Sequence, residues 1–296
     1  MKMLLVLFLL VQASTSDRIN GVIGLLDQRK VVFGMLAQDH SNIAAQAAAD
    51  SAIDFVFVDM EHNPLNFERL QNYFNAMLFR GSQLRVAPMV RLPANGAEQN
   101  QYMIKQALDL GAMGLMIPMT ETREDVLAIV RASRYAQSRG APDFEPAGFR
   151  GAFPNKAARY WAIPPDEYVR RADLWPLDRR GEILLTIQIE TEMAVRNIDE
   201  ILSVPGVGVA FIGPGDLSIS IGVEGAEGQR LLEESIQRVL DACKRHNVVS
   251  GIFVGADNVE QRVNQGFQFI VFGEDSGLGA GASDALSRGR AVAGRN

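Results

Sequence analysis

From residue 17 onward, short β-rich apolar runs alternate with amphipathic stretches, and this alternation restricts the fold more than any other feature of the chain. A strand that is apolar along its whole length needs cover on both faces, and an amphipathic helix between successive strands provides it. Repeated βα units around a parallel sheet follow. The runs predict about eight strands, at 31–36, 55–59, 86–90, 114–118, a weaker one at 148–151, 183–189, 209–212 and 249–254, with 269–272 as a late extra run. Helices are expected over 63–77, 101–110 and 122–136, each with apolar residues at three- and four-residue spacing. Eight such units closing on themselves give a single α/β domain, a (β/α)8 TIM barrel over residues 17–296.

Two stretches interrupt the rhythm. Residues 140–182 are too long for an ordinary connection and carry Trp161, Trp175 and a helical piece at 166–174. Taken as a βα loop, this segment would shape the mouth of the barrel. After Gly273, the glycines Gly277, Gly279, Gly281 and Gly289 dilute a helical pattern, so a partly ordered tail is expected.

The 296 residues carry a formal charge of −6 and no long run of Lys or Arg, which argues against a nucleic-acid partner. The single cysteine, Cys243, excludes an intrachain disulfide and a cysteine-rich zinc site, and its helical surroundings make it a packed thiol. Lys2, the apolar run 3–11 and the small residues 13–16 have the three-part form of a secretory signal. Residues 1–16 are therefore expected to be removed on export to a secreted or periplasmic location. The alternatives are a start placed too early, leaving a cytoplasmic protein, or a short N-terminal helix packed on the barrel. The run is too short to leave a stable membrane span in the mature chain.

Chemistry in a barrel collects just past the C-terminal ends of the strands. Glu190 and Asp216 end consecutive strong strands. Adjacent strands lie about 4.8 Å apart, so two carboxylates there can share one hard cation and leave coordination positions open for a chelating substrate. The structural alternatives are a cap or salt bridge for Glu190, and a cap for a helix starting at Leu217 for Asp216. His62 lies three residues past Asp59, a carboxylate that could fix the imidazole tautomer of a proton shuttle; otherwise His62 is a structural hydrogen-bond donor. Arg91 at a strand end should face an anion such as an enolate oxygen, or else a neighbouring carboxylate such as Glu61. Gly213, Pro214 and Gly215 form a strand-to-helix turn whose amides can approach a carboxylate. Phosphate-binding and dinucleotide fingerprints are missing, as are a nucleophile elbow and a strand-end lysine for a Schiff base.

The stretches FVFVDMEHNP, PMVRLP, IKQALDLGAMGLMIPM, ILLTIQIET and GVAFIGPGDLSISIG, in this order and spacing over 32–275, resemble the HpcH/HpaI family of metal-dependent 2-keto acid aldolases. That resemblance implies a barrel of the phosphoenolpyruvate/pyruvate type, a class II aldolase, and reversible cleavage of a 4-hydroxy-2-keto acid to pyruvate and an aldehyde through a metal-bound enolate. It implies Mg2+ or Mn2+, with Co2+ or Zn2+ as further options, on Glu190 and Asp216, and Arg91 steadying the enolate. His62, oriented by Asp59, would act through water as the base. Gln188 and the backbone of Gly213, Pro214 and Gly215 would hold the pyruvate end, with Arg150 near the site mouth. It further implies small-molecule keto acid and aldehyde partners and a homo-oligomer, a hexamer whose contacts involve the C-terminal helical region. Competing readings are an acyl-CoA lyase of the malyl- or citryl-CoA kind, an oxaloacetate-type decarboxylase, and an exported binding protein that keeps the metal site without turnover.

Overall fold

A computed structural model describes residues 18–81, 84–93, 98–99, 101–274 and 280–295, so the expected leader at 1–16 lies outside the described residues. Eight parallel strands close on themselves: β1 (Val32–Ala37), β2 (Phe55–Asp59), β3 (Ala87–Arg91), β4 (Gly114–Ile117), β6 (Ile183–Ile189), β7 (Val209–Ile212), β8 (Val249–Val254) and β9 (Phe269–Glu274). β4 pairs with β6 and β9 returns to β1, which makes the sheet a (β/α)8 barrel. The two-residue β5 (Leu174–Trp175) only extends the start of β6. The run at 269–272 is thus the closing strand rather than an extra. The weaker candidate at 148–151 forms no strand, because its backbone is taken up by the end of a helix: Phe149 N donates to Arg131 O and Arg150 N to Arg134 O.

The barrel is packed with aromatic side chains. Phe55 and Phe269 stack at 4.2 Å between ring centroids, while Phe57 and Phe211 meet this pair at steeper angles. Glycines on the interior make room for them. A Cβ on Gly34 would fall 2.2 Å from the Phe55 ring, and one on Gly114 would fall 2.7 Å from the Met89 sulfur. The size of these aromatic rings and the bareness of the facing residues are therefore one packing solution.

Around the strands run α1 (Gly21–Asp27), α2 (Asn42–Asp50), α3 (Phe67–Met77), α4 (Gln101–Asp109), α5 (Arg123–Ser133), α6 (Asn155–Tyr160), α7 (Pro165–Arg171), α8 (Glu192–Arg196), α9 (Ile198–Leu202), α10 (Pro214–Ile221), α11 (Gly225–His246), α12 (Val259–Gln265) and α13 (Ala280–Val292). Side-chain caps fix several starts. Asn66 accepts from Arg69 N, so α3 begins after Pro64 and not at residue 63. Thr122 and Asp125 form a capping box at α5. Cys243 is buried in α11, where burial pushes its thiol up to about 12. The C-terminal stretch also forms a helix, α13, against α12 and β1. A Cβ on Gly289 would come within 2.7 Å of the Phe33 ring, so this glycine serves close packing.

The stretch 140–182 connects α5 to β6, which puts it at the N-terminal end of the barrel and not at its mouth. Its anchors confirm the side. Trp161 Nε1 donates to Gly111 O at 2.8 Å, and the fully buried Arg134 forks onto Asp173 at 2.6 and 2.8 Å while reaching Pro146 O. The role at the mouth expected of a βα loop therefore does not apply, because the segment follows a helix and leads into a strand. Among the described residues no helix is long and apolar enough to cross a membrane.

The Gly34 contact yields a stability prediction. Gly34→Ala should lower the unfolding free energy by about 1–3 kcal/mol, since a methyl group there overlaps the Phe55 ring. Urea titration followed by circular dichroism measures this, and an unchanged midpoint would contradict the packing described.

Candidate active site

A cavity of about 210 Å3 opens at the C-terminal end of the strands. Its floor is apolar, with Leu36, Met116 and Phe211 from three different strands, and its walls carry His62, Arg91, Gln188 and Asp216. A smaller hollow of about 70 Å3 beside Asp50 and Arg80, at the opposite end, assembles no comparable set of groups.

The centre of the wall is an ion pair between neighbouring strands. Asp59 and Arg91 stand opposite each other in the β2–β3 register, and Arg91 Nε and Nη2 each donate to an Asp59 oxygen at 2.7 Å. Gln38 Nε2 and the backbone N of Glu61 complete the Asp59 carboxylate. Burial alone pushes this carboxyl up, but the Arg91 pairing outweighs it and holds it below its ordinary value. The remaining Arg91 nitrogen, Nη1, lies 3.1 Å from Glu61 Oε2. The expected Asp59–His62 contact does not form, because Asp59 is spent on Arg91. His62 instead has Nε2 at 3.7 Å from Glu61, and its side chain is 61% exposed at the rim.

Across the cavity, Glu190 follows β6 and is 2% exposed. Met119 N donates to its Oε1 at 2.7 Å, and Gln188 Nε2 donates to its Oε2. Burial pushes the Glu190 carboxyl up to about 7, with Glu61 and Asp216 adding repulsion against the pull of the Met119 amide. Glu61 is also raised to about 7, again chiefly by burial. Asp216 is exposed in the first turn of α10, a helix that begins at Pro214, so Asp216 is not the cap of a helix starting at Leu217. Gly213 lets this turn approach: a Cβ there would lie 3.0 Å from both Gln188 Nε2 and Glu190 Oε2.

These residues suit a divalent cation. Two carboxyls raised chiefly by burial and further by Asp216, with the buried Gln188 Oε1 lacking a hydrogen-bond partner beside Glu190, form an acceptor-rich wall whose positive charge comes from Arg91 on the Asp59 and Glu61 side. Among the described residues, the one cluster of three carboxylates with mutually close oxygens is elsewhere, at Asp143, Asp173 and Asp178. It belongs to the 140–182 connection at the far end of the barrel, and Arg134 already neutralises Asp173 and approaches Asp143.

Arg150, expected near the mouth, is displaced to the same far region. Its buried guanidinium donates to Asp109 at 2.8 Å and to Tyr168 at 3.1 Å, and lies 4.4 Å from the Tyr135 ring centre. It does not line the cavity. Of the other histidines, His40 stands edge-on to Tyr73, and His246 pairs with Asp199 at 2.9 Å at the end of α11. Glu61 and Gln38 are the site groups that the sequence reading left without a role of their own. A pointer to Glu61 was available, since it lies two residues past Asp59 in D-x-E-H.

Comparison with known proteins supplies the family. The HpcH/HpaI aldolase/citrate lyase family model matches residues 32–281. A 2-keto-3-deoxy-L-rhamnonate aldolase of Escherichia coli (strain K12) is 33% identical over 267 residues, 89% of each chain. The crystal structure of an HpcH/HpaI aldolase/citrate lyase family protein from Burkholderia cenocepacia J2315 superposes with a TM-score of 0.74 at 29% identity, covering 92% of this chain and 99% of that one. An HpcH/HpaI aldolase from Desulfitobacterium hafniense DCB-2 gives 0.70 at 26% identity, covering 90% and 94%. The chain belongs to the HpcH/HpaI aldolase/citrate lyase family, and as such is a carbon–carbon lyase.

Proposed function

We propose that the protein is a class II aldolase that reversibly cleaves a 4-hydroxy-2-keto acid to pyruvate and an aldehyde, with a divalent cation, Mg2+ or Mn2+ in the first instance, held by Glu190 and Asp216. The observation that carries this reading is the pair of buried carboxyls Glu61 and Glu190, both raised chiefly by burial and further by Asp216, beside an open cavity at the strand ends that Asp216 and Gln188 line. The similarity to an enzyme named as a 2-keto-3-deoxy-L-rhamnonate aldolase supports it. A homo-oligomer and removal of residues 1–16 on export belong to the same proposal, to be checked by light scattering and by N-terminal sequencing of the mature chain.

A cation bound there supplies Lewis-acid polarisation of the 2-keto group and charge for the adjacent carboxylate. The protein's own groups account for the rest. Gln188, with a free Oε1, and the turn at Gly213–Gly215 bound the pyruvate end, and the apolar floor excludes water from C3. Arg91, locked by Asp59, presents a fixed positive charge beside the oxygen that becomes negative as the C3–C4 bond breaks. His62 at the rim accepts the proton of the 4-hydroxyl, directly or through water, and Glu61 at 3.7 Å is placed to stabilise the resulting imidazolium. The bond electrons move onto the keto oxygen, and protonation at C3 releases pyruvate. The Asp59 assignment changes accordingly: it positions Arg91 rather than His62.

Glu190→Gln or Asp216→Asn should reduce pyruvate release from 4-hydroxy-2-keto acids by about a hundredfold or more, with the fold retained. Coupling to lactate dehydrogenase, before and after EDTA and re-addition of Mn2+, measures this; activity unaffected by EDTA would refute the metal assignment. His62→Ala should impair aldol cleavage more than decarboxylation of oxaloacetate, which needs no proton removed from a hydroxyl; equal losses would count against that role.

The Glu190 carboxyl also sets a pH dependence. Its value rises from 4.5 to about 7 in the folded chain, so without metal the folded state keeps a proton that the unfolded state has lost. The associated stability is present at low pH and fades as pH rises through 7. Metal and proton compete for the same oxygens, so Mn2+ affinity moves the opposite way. Calorimetry at about pH 6 and about pH 8 should give tighter binding at the higher value. An affinity independent of pH would show that Glu190 is not a ligand.

A further inference from the structure

The Asp59 carboxylate anchors more than Arg91. Ala37 pairs with Val58 in the β1–β2 register, so Gln38 and Asp59 are the next residues along the two strands. Arg91 Nε and the backbone N of Glu61 donate to Asp59 Oδ1, while Arg91 Nη2 and Gln38 Nε2 donate to Oδ2. A carboxylate only accepts, so Gln38 must turn its amide nitrogen towards Asp59 and present Oε1 on its other side. Asn63 Nδ2 donates to that oxygen. The chain Asp59–Gln38–Asn63 thus joins the loops after β1 and β2, and its polarity is fixed. His62 lies between two anchored neighbours: the amide of Glu61 is held by Asp59, and the side chain of Asn63 by Gln38. The imidazole itself is 61% exposed and 3.7 Å from Glu61, beyond hydrogen-bond range, so the backbone on either side does most to place it.

Resting on the aldolase reading above, we propose that Gln38 and Asn63 are positioning residues for His62, a two-amide clip that sets the imidazole at the rim where the 4-hydroxyl of the substrate arrives. The carboxylate that locks Arg91 is also the anchor of this clip. The charge beside the enolate oxygen and the acceptor of the hydroxyl proton are therefore held at a constant separation. A shift of about 1 Å between groups that act in one step can cost about a hundredfold in rate. Neither Gln38 nor Asn63 lines the cavity, so opening the clip affects the step that needs the base and leaves the pyruvate end of the site as it is.

The test compares two reactions of the full chain with Mn2+, both read as pyruvate release: cleavage of 4-hydroxy-2-keto acids such as 4-hydroxy-2-oxopentanoate, and decarboxylation of oxaloacetate. Decarboxylation needs no proton removed from a hydroxyl. Asn63→Asp, close in shape, sets a carboxylate against Gln38 Oε1 and opens the clip, and Asn63→Ala removes the donor without adding charge. Both should lower kcat for aldol cleavage by about tenfold or more, with KM and the rate of decarboxylation changed by less than about twofold. In a His62→Ala background, neither should lower the residual cleavage further, because a clip that acts through His62 has nothing left to position. If cleavage survives both substitutions, falls in step with decarboxylation, or falls again in the absence of His62, the clip is overturned and the aldolase reading stands. If the unsubstituted chain with Mn2+ releases pyruvate from none of the keto acids, the aldolase reading fails and the clip fails with it.

Discussion

The site is organised by the buried pair of Asp59 and Arg91. Parallel register puts the last residues of β2 and β3 side by side, and both side chains are almost fully withdrawn from water. A buried ion pair of this kind contributes little net stability, because desolvation offsets most of the attraction, but breaking it leaves a buried charge without a partner. The pair is therefore best understood as a positioning device. It fixes the guanidinium in a single orientation and draws in Glu61 through the remaining nitrogen, while its charge still reaches Glu190 across the cavity. In the proposed reading, Glu190 and Asp216 are the carboxylates that a cation from outside the chain would take.

Barrel topology then separates duties. The groups of the cavity come from the C-terminal halves of the strands and the residues just past them, while the long insertion, 140–182, lies between a helix and a strand and is packed at the other end. There Arg134, Arg150 and Trp161 satisfy buried backbone and carboxylate groups. Arg150 illustrates the point: a buried arginine in a glycine-flanked stretch looks like a ligand-binding residue, yet its partners are Asp109, Tyr135 and Tyr168 of the scaffold.

Much of this was legible in the residues themselves. Alternating apolar runs and amphipathic helices determined the barrel, because continuous hydrophobic strands cannot be stable unless both faces are covered. The polar residues that end β2, β3, β6 and the turn after β7 identified His62, Arg91, Gln188, Glu190, Gly213 and Asp216, since position past a strand end is enough to place a residue near the mouth. What only the tertiary structure decided was partnership. Two carboxylates within three residues of each other, Asp59 and Glu61, compete for the same guanidinium and imidazole, and cross-strand register assigns Arg91 to Asp59 and leaves His62 beside Glu61. Likewise, 148–151 reads as a strand by composition and becomes a connection because the end of α5 claims its amides. Local sequence sets the period and polarity of each element; which groups meet depends on residues far apart in the chain, and only closure of the barrel brings those together.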